Sequence, residues 1–397
     1  MDLEHLETLN NRLHSLVIFR KLLDDGVLRN LSALLSLAGK SISEKLSAYT
    51  AFAAALFQEG EDLTGCIWDR VSADENFYIQ KCAHGTAISP ALSECLAHEL
   101  EILQELSLLP AREVQAALGY DGYLPEWKNH PADFLLDYQR LVTNIPTKGY
   151  GAFSRHTMFT VSEGSLVPVL SPDPILLSDL KGYERERKAV VDNTRSLMEG
   201  KPAANALLYG DAGTGKSSTI KAVVNEFAGA GLRLIEIRKN QLSDIPKVSE
   251  ALKDNPLKFI LFIDDLSFAQ NSEEIGSLKA ILEGTVSARA SNTAIYATSN
   301  RRHIVSERFS DRGDDDIHRN ETIQEQVSLS QRFGLAVSFL KPDKARYLEI
   351  VRSLAQQYGV QDIEEVDLRA ERYAIERGGR SPRVARHFVD GIRSAGD

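Results

Sequence analysis

The chain has 397 residues, 43% of them hydrophobic and 26% charged, and a net charge of −10. That length holds two or three domains, and the balance suits a chain that buries a core, which excludes a disordered polymer. No apolar run approaches the roughly 20 residues of a membrane-spanning helix, so no membrane association is expected. Met1-Asp2-Leu3-Glu4 lacks the basic-then-apolar build of a secretory leader. Cys66, Cys82 and Cys95 are odd in number and form no metal-ligand spacing, so reduced thiols in a cytoplasmic protein are expected. Residues 1–150 carry −9 of the net charge and residues 151–397 only −1. An acidic front half disfavours a nucleic-acid backbone, although solubility alone accounts for the same excess.

The first ~150 residues read as helices. Ser41-Ile42-Ser43-Glu44 has the form of a capping box, with Leu46, Tyr49, Phe52, Ala53, Leu56 and Phe57 on one face and Gly60 as a stop. Ser89-Pro90 opens another helix, with Leu92, Leu96, Leu100 and Leu103 at helical spacing. Such stripes predict core; a groove for a partner is the alternative. From Tyr120 to Pro174 the texture turns to Gly, Pro and aromatic residues, which predicts a connector with a boundary near 150–170.

Beyond it, short apolar runs alternate with helical stretches, which predicts a parallel sheet with helical crossovers. The candidate strands are Ala206–Tyr209, Leu232–Ile237, Phe259–Ile263, Thr293–Ala297 and Leu335–Phe339. Their near-continuous hydrophobicity suits strands covered on both faces. The first runs into Gly210-Asp211-Ala212-Gly213-Thr214-Gly215-Lys216-Ser217. This fits G-x-x-x-x-G-K-[ST], the loop that wraps nucleotide phosphates. Gly213 and Gly215 let backbone N–H groups turn inward without a Cβ in the way. Lys216 is expected to bridge the β- and γ-phosphates of ATP, and the Ser217 hydroxyl to hold Mg2+. Gly210 through Ser217, with Ser218 beside them, form the expected nucleotide-binding set. A glycine-rich surface turn is the plain alternative, and the flanking strand and helix count against it.

Phe259-Ile260-Leu261-Phe262-Ile263 delivers Asp264 and Asp265 to a strand's carboxyl end. Asp264 is expected to hold Mg2+ through water, and Asp265 to act as general base on the attacking water. Solvated carboxylates at a strand end are the alternative. The run Ile295-Tyr296-Ala297-Thr298-Ser299-Asn300 ends a third strand in hydroxyl and amide groups, with Asn300 placed to hydrogen-bond water or the γ-phosphate. Arg301 and Arg302 follow, as phosphate contacts, neighbour contacts or a solvated turn. Arg332, just before the last strand, is a candidate arginine finger. After Pro342 the chain turns helical, capped by Asp343, and Gly379-Arg380-Ser381-Pro382-Arg383 opens a final helix. Arg383 is expected to reach the γ-phosphate and couple lid position to nucleotide state; the other reading is a Ser-Pro that only starts a helix.

In this order the motifs resemble the AAA+ ATPases, over about Pro174 to the C-terminus. The resemblance implies that Leu177-Ser178-Asp179-Leu180-Lys181-Gly182-Tyr183-Glu184 lines an adenine pocket around Gly182. The wording of Leu207–Gly210, Gly231–Glu236, Ile263–Phe268, Ala297–His303 and Ser328–Leu335 is similar to an uncharacterised bacterial family of predicted AAA+-type ATP-binding proteins. The Asp-Asp pair and Arg332-Phe333-Gly334 resemble the replication-initiator branch. Most AAA+ hydrolases have Glu where this chain has Asp265, one methylene shorter, which implies slow turnover or an extra water. No aromatic-Gly pair follows the second or third strand, so peptide threading is not expected.

The fold expected is therefore an α/β P-loop NTPase of AAA+ type: a helical N-terminal domain (1–165), an ATPase core (166–340) and a helical lid (341–397). The leading functional expectation is a cytoplasmic Mg-ATPase, homo-oligomeric through Arg332, that moves an N-terminal domain or a protein partner bound to residues 1–165. Two alternatives stand beside it: an ATP-gated binding switch with little turnover, and a nucleic-acid loader suggested by Arg380, Arg383, Arg386 and Arg393.

Overall fold

The computed structural model describes residues 2–266, 278, 280–282, 291–300, 332–358 and 363–395. The chain divides into two compact units, Met1–Arg155 and His156–Asp397.

In the first unit, short polar residues start the helices by accepting orphan N–H groups of the first turn. Asp2 caps α1 (Leu3–His14), Asp25 caps α2 (Gly26–Leu35), Ser41 caps α3 (Ile42–Phe57) and Asp62 caps α4 (Leu63–Ala73). Asn76 caps α5 (Phe77–Ala83), and Ser89 caps α6 (Pro90–Ser107), whose Pro90 opens the first turn. The capping box of Ser41 and Glu44 is formed on both sides. Helices α7 (Ala111–Leu118), α8 (Phe134–Thr143), α9 (Ile145–Lys148) and α10 (Ala152–Arg155) complete the unit. The expected stripes are core: Tyr49, Phe52, Ala53 and Leu56 are buried, as are Leu96, Leu100 and Leu103. Phe57 is an exception and is exposed. At ~100° per residue it stands roughly a quarter turn from the centre of its stripe.

The expected connector from Tyr120 onward is not one. Trp127 is buried, donates from Nε1 to the Leu109 carbonyl at 2.8 Å, and packs edge-on against Phe52. Aromatic burial draws this Pro-rich segment into the helical core. The units meet at Arg155/His156, inside the expected 150–170 stretch though ten residues before the domain end set at 165; the next residues are strand. β1 (Met158–Ser162) and β2 (Ser165–Pro168) form an antiparallel hairpin. Its two turn residues, Glu163 and Gly164, both have positive φ, the hand that matches strand twist. Pro168 is tolerated because β2 is the sheet's edge.

The remaining strands are β3 (Ala206–Gly210), β4 (Leu232–Glu236), β5 (Lys258–Ile263), β6 (Thr293–Ser299) and β7 (Leu335–Phe339). The seven-stranded order is β2-β1-β4-β5-β6-β3-β7, parallel except for the hairpin. The five expected strands are all present, and β1 and β2 add two. Helices α11 (Glu184–Met198), α12 (Lys216–Phe227) and α13 (Ile245–Leu252) accompany them. This is the expected α/β arrangement, a mostly parallel sheet with helical crossovers. Helices α14 (Lys344–Gln357), α15 (Ile363–Glu376) and α16 (Pro382–Ala395) follow β7, with Asp343 capping α14 as expected. Among the described residues their buried side chains join the sheet's: Tyr347, Ile350, Val351, Ala385 and Val389 share one buried cluster with Leu208, Val223, Phe262 and Phe339.

One buried carboxylate organises the first unit. Glu99, 3% exposed, accepts from the N–H groups of Val17, Ile18 and Phe19 at 2.8 to 3.1 Å. Ile18 and Phe19 are buried, so Glu99→Ala leaves two sequestered donors without an acceptor, at about 1–3 kcal/mol each. We expect urea unfolding of Glu99→Ala to show that loss in the helical unit, and Glu99→Gln, which keeps one acceptor oxygen, to lose less.

Candidate nucleotide-binding site

Strand β3 lies between β6 and β7, so the loop leaving its carboxyl end is held on both sides. Gly210 has φ +129°, and a Cβ there would stand 2.3 Å from the Phe339 carbonyl oxygen of β7; backbone contact requires glycine here. Gly213 (φ +78°) and Gly215 (φ +90°) turn the loop through the left-handed region, and a Cβ on Gly215 would project into open space. Thr214 Oγ1 donates to the Asp211 carbonyl at 2.8 Å and braces the turn. The chain then enters α12 at Lys216.

Lys216 is 5% exposed and donates from Nζ to the carbonyls of Asp211, at 2.7 Å, and Gly210, at 3.2 Å. Burial pushes its pKa below the usual lysine value, against the pull of Asp211, Asp264 and Asp265. A cation held beside a glycine-rich turn at a helix start is chemically suited to a polyanion. Next to it, Ser217 Oγ donates to Asp264 Oδ1 at 2.6 Å. Thr298 Oγ1 donates to the same oxygen at 2.6 Å, and the Asp265 N–H approaches it at 3.1 Å. Asp265 has φ +51°. Its carboxylate accepts from Asn300 Nδ2 at 2.7 Å and pairs with Lys239 at 3.4 Å.

The lid reaches the same loop. The Arg383 N–H donates to the Gly213 carbonyl at 3.2 Å, and the Ser381 hydroxyl lies 3.2 Å from where a Gly213 Cβ would stand. The Arg383 charge also acts on Lys216, depressing it further. A cavity of about 220 Å3 is bounded here by Lys181, Gly213, Thr214, Gly215, Ile350 and Arg383. Gly182 does not line it: with φ +72° it packs against Ile350, where a Cβ would meet Cδ1 at 2.9 Å. Beside it Tyr183 stacks on Phe339, lies 4.4 Å beneath the Arg346 guanidinium, and donates its hydroxyl to the Leu340 carbonyl. Burial pushes the Tyr183 phenol up to about 12.

The structure thus brings together residues 210–218, Asp264, Asp265, Asn300 and Arg383. It does not bring Arg332 to its own chain's loop. β3 and β7 run parallel with Ala206 opposite Leu335 and Gly210 opposite Phe339. Arg332 therefore stands at the other end of the sheet, roughly 16 Å or more away at ~3.3 Å per strand residue. Arg301, Arg302, Phe268 and Ser328–Gln331 lie outside the described residues.

Sequence reading missed Thr298, Lys239 and Ser381 as members of the site, and it named Arg386 only as a nucleic-acid contact, whereas Arg386 lies on the cavity wall. Thr298 was detectable, because side chains two apart on a strand share a face and Asn300 had already been singled out. Lys239 follows β4 at the sheet's carboxyl edge, where open α/β sheets bind ligands.

Residues 152–395 match a family described as "Protein of unknown function (DUF815)", and the chain belongs to that family. It is also similar to the replication factor C large subunit of Thermofilum pendens, 31% identical over 140 residues covering 32% of each chain. The same subunit of Staphylothermus marinus is 27% identical over 117 residues, 28% of this chain and 27% of that one. The chain spans about a third or less of the length of these curated relatives. Among solved structures, the Thermotoga maritima RuvB Holliday junction branch migration motor overlaps 56% of this chain and 65% of its own, at 17% identity and a TM-score of 0.37.

The two loop glycines separate packing from cradle. Gly210→Ala drives a methyl into Phe339 backbone and is expected to lower stability by about 1–3 kcal/mol from overpacking alone, with left-handed strain added. Gly215→Ala meets no atom and carries only that strain, about 1 kcal/mol. Thermal unfolding of the two variants should show the larger loss at Gly210.

Proposed function

We propose that this member of the DUF815 family binds Mg-ATP in the loop 210–218 and hydrolyses it to drive a conformational or assembly change. The observation that carries this reading is the buried Lys216 ammonium, held by two loop carbonyls beside the Ser217–Asp264 pair. The residues fit the cofactor. Hydroxyl and carboxylate oxygens are the donors Mg2+ prefers, and it is commonly held by one or two protein groups with phosphate and water. Ser217 and Asp264 would hold it, and it would supply charge neutralisation at the phosphates.

The chain's own groups divide the remaining work. Loop N–H groups and Lys216 bind and orient the triphosphate. Asp265 takes a proton from the attacking water on a carboxylate oxygen, and Asn300 holds that carboxylate in place. Arg383, tied to Gly213, moves with the lid and meets charge at the terminal phosphoryl group. Arg332 serves a neighbouring copy, because strand length keeps it from its own loop; assembly into a homo-oligomer follows. Residues 1–165 are the part on which a protein partner is acted upon, and the acidity of residues 1–150 favours that partner over nucleic acid.

A second reading, an ATP-gated switch with little turnover, is favoured by one feature. Asp265 is short, held in a left-handed backbone, and already engaged by both Lys239 and Asn300. Steady-state ATP turnover decides between the two.

Lys216→Ala is expected to abolish calorimetric Mg-ATP binding and lower hydrolysis by about 100-fold or more. Asp265→Asn should keep binding and lose hydrolysis by about 100-fold or more. Mixing wild type with Arg332→Ala should depress phosphate release more steeply than dilution does. A strictly proportional fall would remove the intersubunit finger.

A further inference from the structure

We propose that Thr298 is a positioning residue for the metal-holding and proton-accepting carboxylates, and so sets the Mg2+ requirement of the site. The inference rests on the Mg-ATP reading above and adds to it a residue whose hydroxyl is engaged by Asp264 and the Asp265 N–H.

The geometry is a two-sided clamp. Thr298 is 2% exposed at the end of β6. Its Oγ1 donates to Asp264 Oδ1 at 2.6 Å and accepts from the Asp265 N–H at 2.8 Å. Its backbone carbonyl accepts from the Leu266 N–H at 2.6 Å. One residue therefore takes two successive N–H groups of the facing turn and points the carboxylate that precedes them.

The clamp is needed because regular pairing stops there. The β5–β6 ladder runs to Ile263 opposite Ala297, and at Asp265 the backbone enters the left-handed region at φ +51°. For a non-glycine residue that conformation costs on the order of 1–2 kcal/mol and persists only where the surroundings over-determine it. Thr298 supplies that determination. It also occupies Oδ1 of Asp264 together with Ser217, which restricts rotation of the carboxylate and presents its remaining coordination capacity in one direction. Partners of this kind are worth about 10- to 100-fold in metal affinity or activity when removed.

The test is the Mg2+ concentration at half-saturation of ATP binding, measured by calorimetry on the full chain, with ATP binding in EDTA as reference. Thr298→Val keeps the shape and deletes both side-chain hydrogen bonds. It should raise the Mg2+ midpoint about 10-fold and lower kcat more than it raises KM, while EDTA binding stays at the wild-type value. Thr298→Ser, which keeps the hydroxyl, should restore the wild-type midpoint. If Thr298→Val does not fold, Thr298→Ala carries the same expectation. An unchanged midpoint in Thr298→Val or Thr298→Ala, or an equal shift in Thr298→Ser, overturns the proposal while the Mg-ATP reading stands. A wild-type chain that binds no nucleotide overturns both.

Discussion

Three donors from three separate elements meet one oxygen. Ser217 from the first turn of α12, Thr298 from the end of β6 and the Asp265 amide from the turn after β5 all point at Asp264 Oδ1. Hydrogen bonds to an ionised acceptor are roughly twice as strong as neutral ones, so this knot ties the first turn of α12 to the carboxyl ends of β5 and β6. Losing the carboxylate strands two hydroxyls in a largely buried place, and losing either hydroxyl frees the carboxylate to turn. The placement of the candidate site depends on that convergence more than on any single residue in the loop.

A second constraint sits where β7 leaves the sheet. The Leu340 carbonyl accepts from Tyr183, and the Lys341 N–H donates to the Asp211 carboxylate at 2.7 Å. Asp211 belongs to the phosphate loop, and Tyr183 opens the helix that follows Gly182. The passage from sheet to lid is therefore gripped by one side chain from the loop and one from the segment beside the cavity. With Arg383 bonded to Gly213 and one buried cluster running through sheet and lid, the lid cannot shift without disturbing the loop. Close-packed interiors transmit such displacements and do not absorb them.

Much of this was legible in the chain. The phosphate loop, the strand entering it, Asp264 and Asp265 after a five-residue apolar run, and the Ser41 and Ser89 caps are local patterns whose chemistry is complete within a few residues. What escaped is equally specific. β1 and β2 are short, β2 ends in Pro168, and β1 finds its partner in β4, which lies some seventy residues later. Trp127 looks like loop texture until Phe52 and Tyr49 close over it. Phe57 looks like core until the stripe's direction is fixed by the neighbours that pack on it.

By itself the sequence determined the local pieces: glycines where the backbone turns through the left-handed region, a lysine and a serine at the helix start, and carboxylates at a strand's carboxyl end. These follow from covalent spacing and conformational freedom, which travel with the chain. Only the tertiary structure decided which groups meet. It gave Thr298 to Asp264, Lys239 to Asp265 and Arg383 to Gly213, and it set Arg332 at the opposite end of the sheet. Strand order and parallel register bring distant residues to one edge or hold them apart, and neither is written in local spacing.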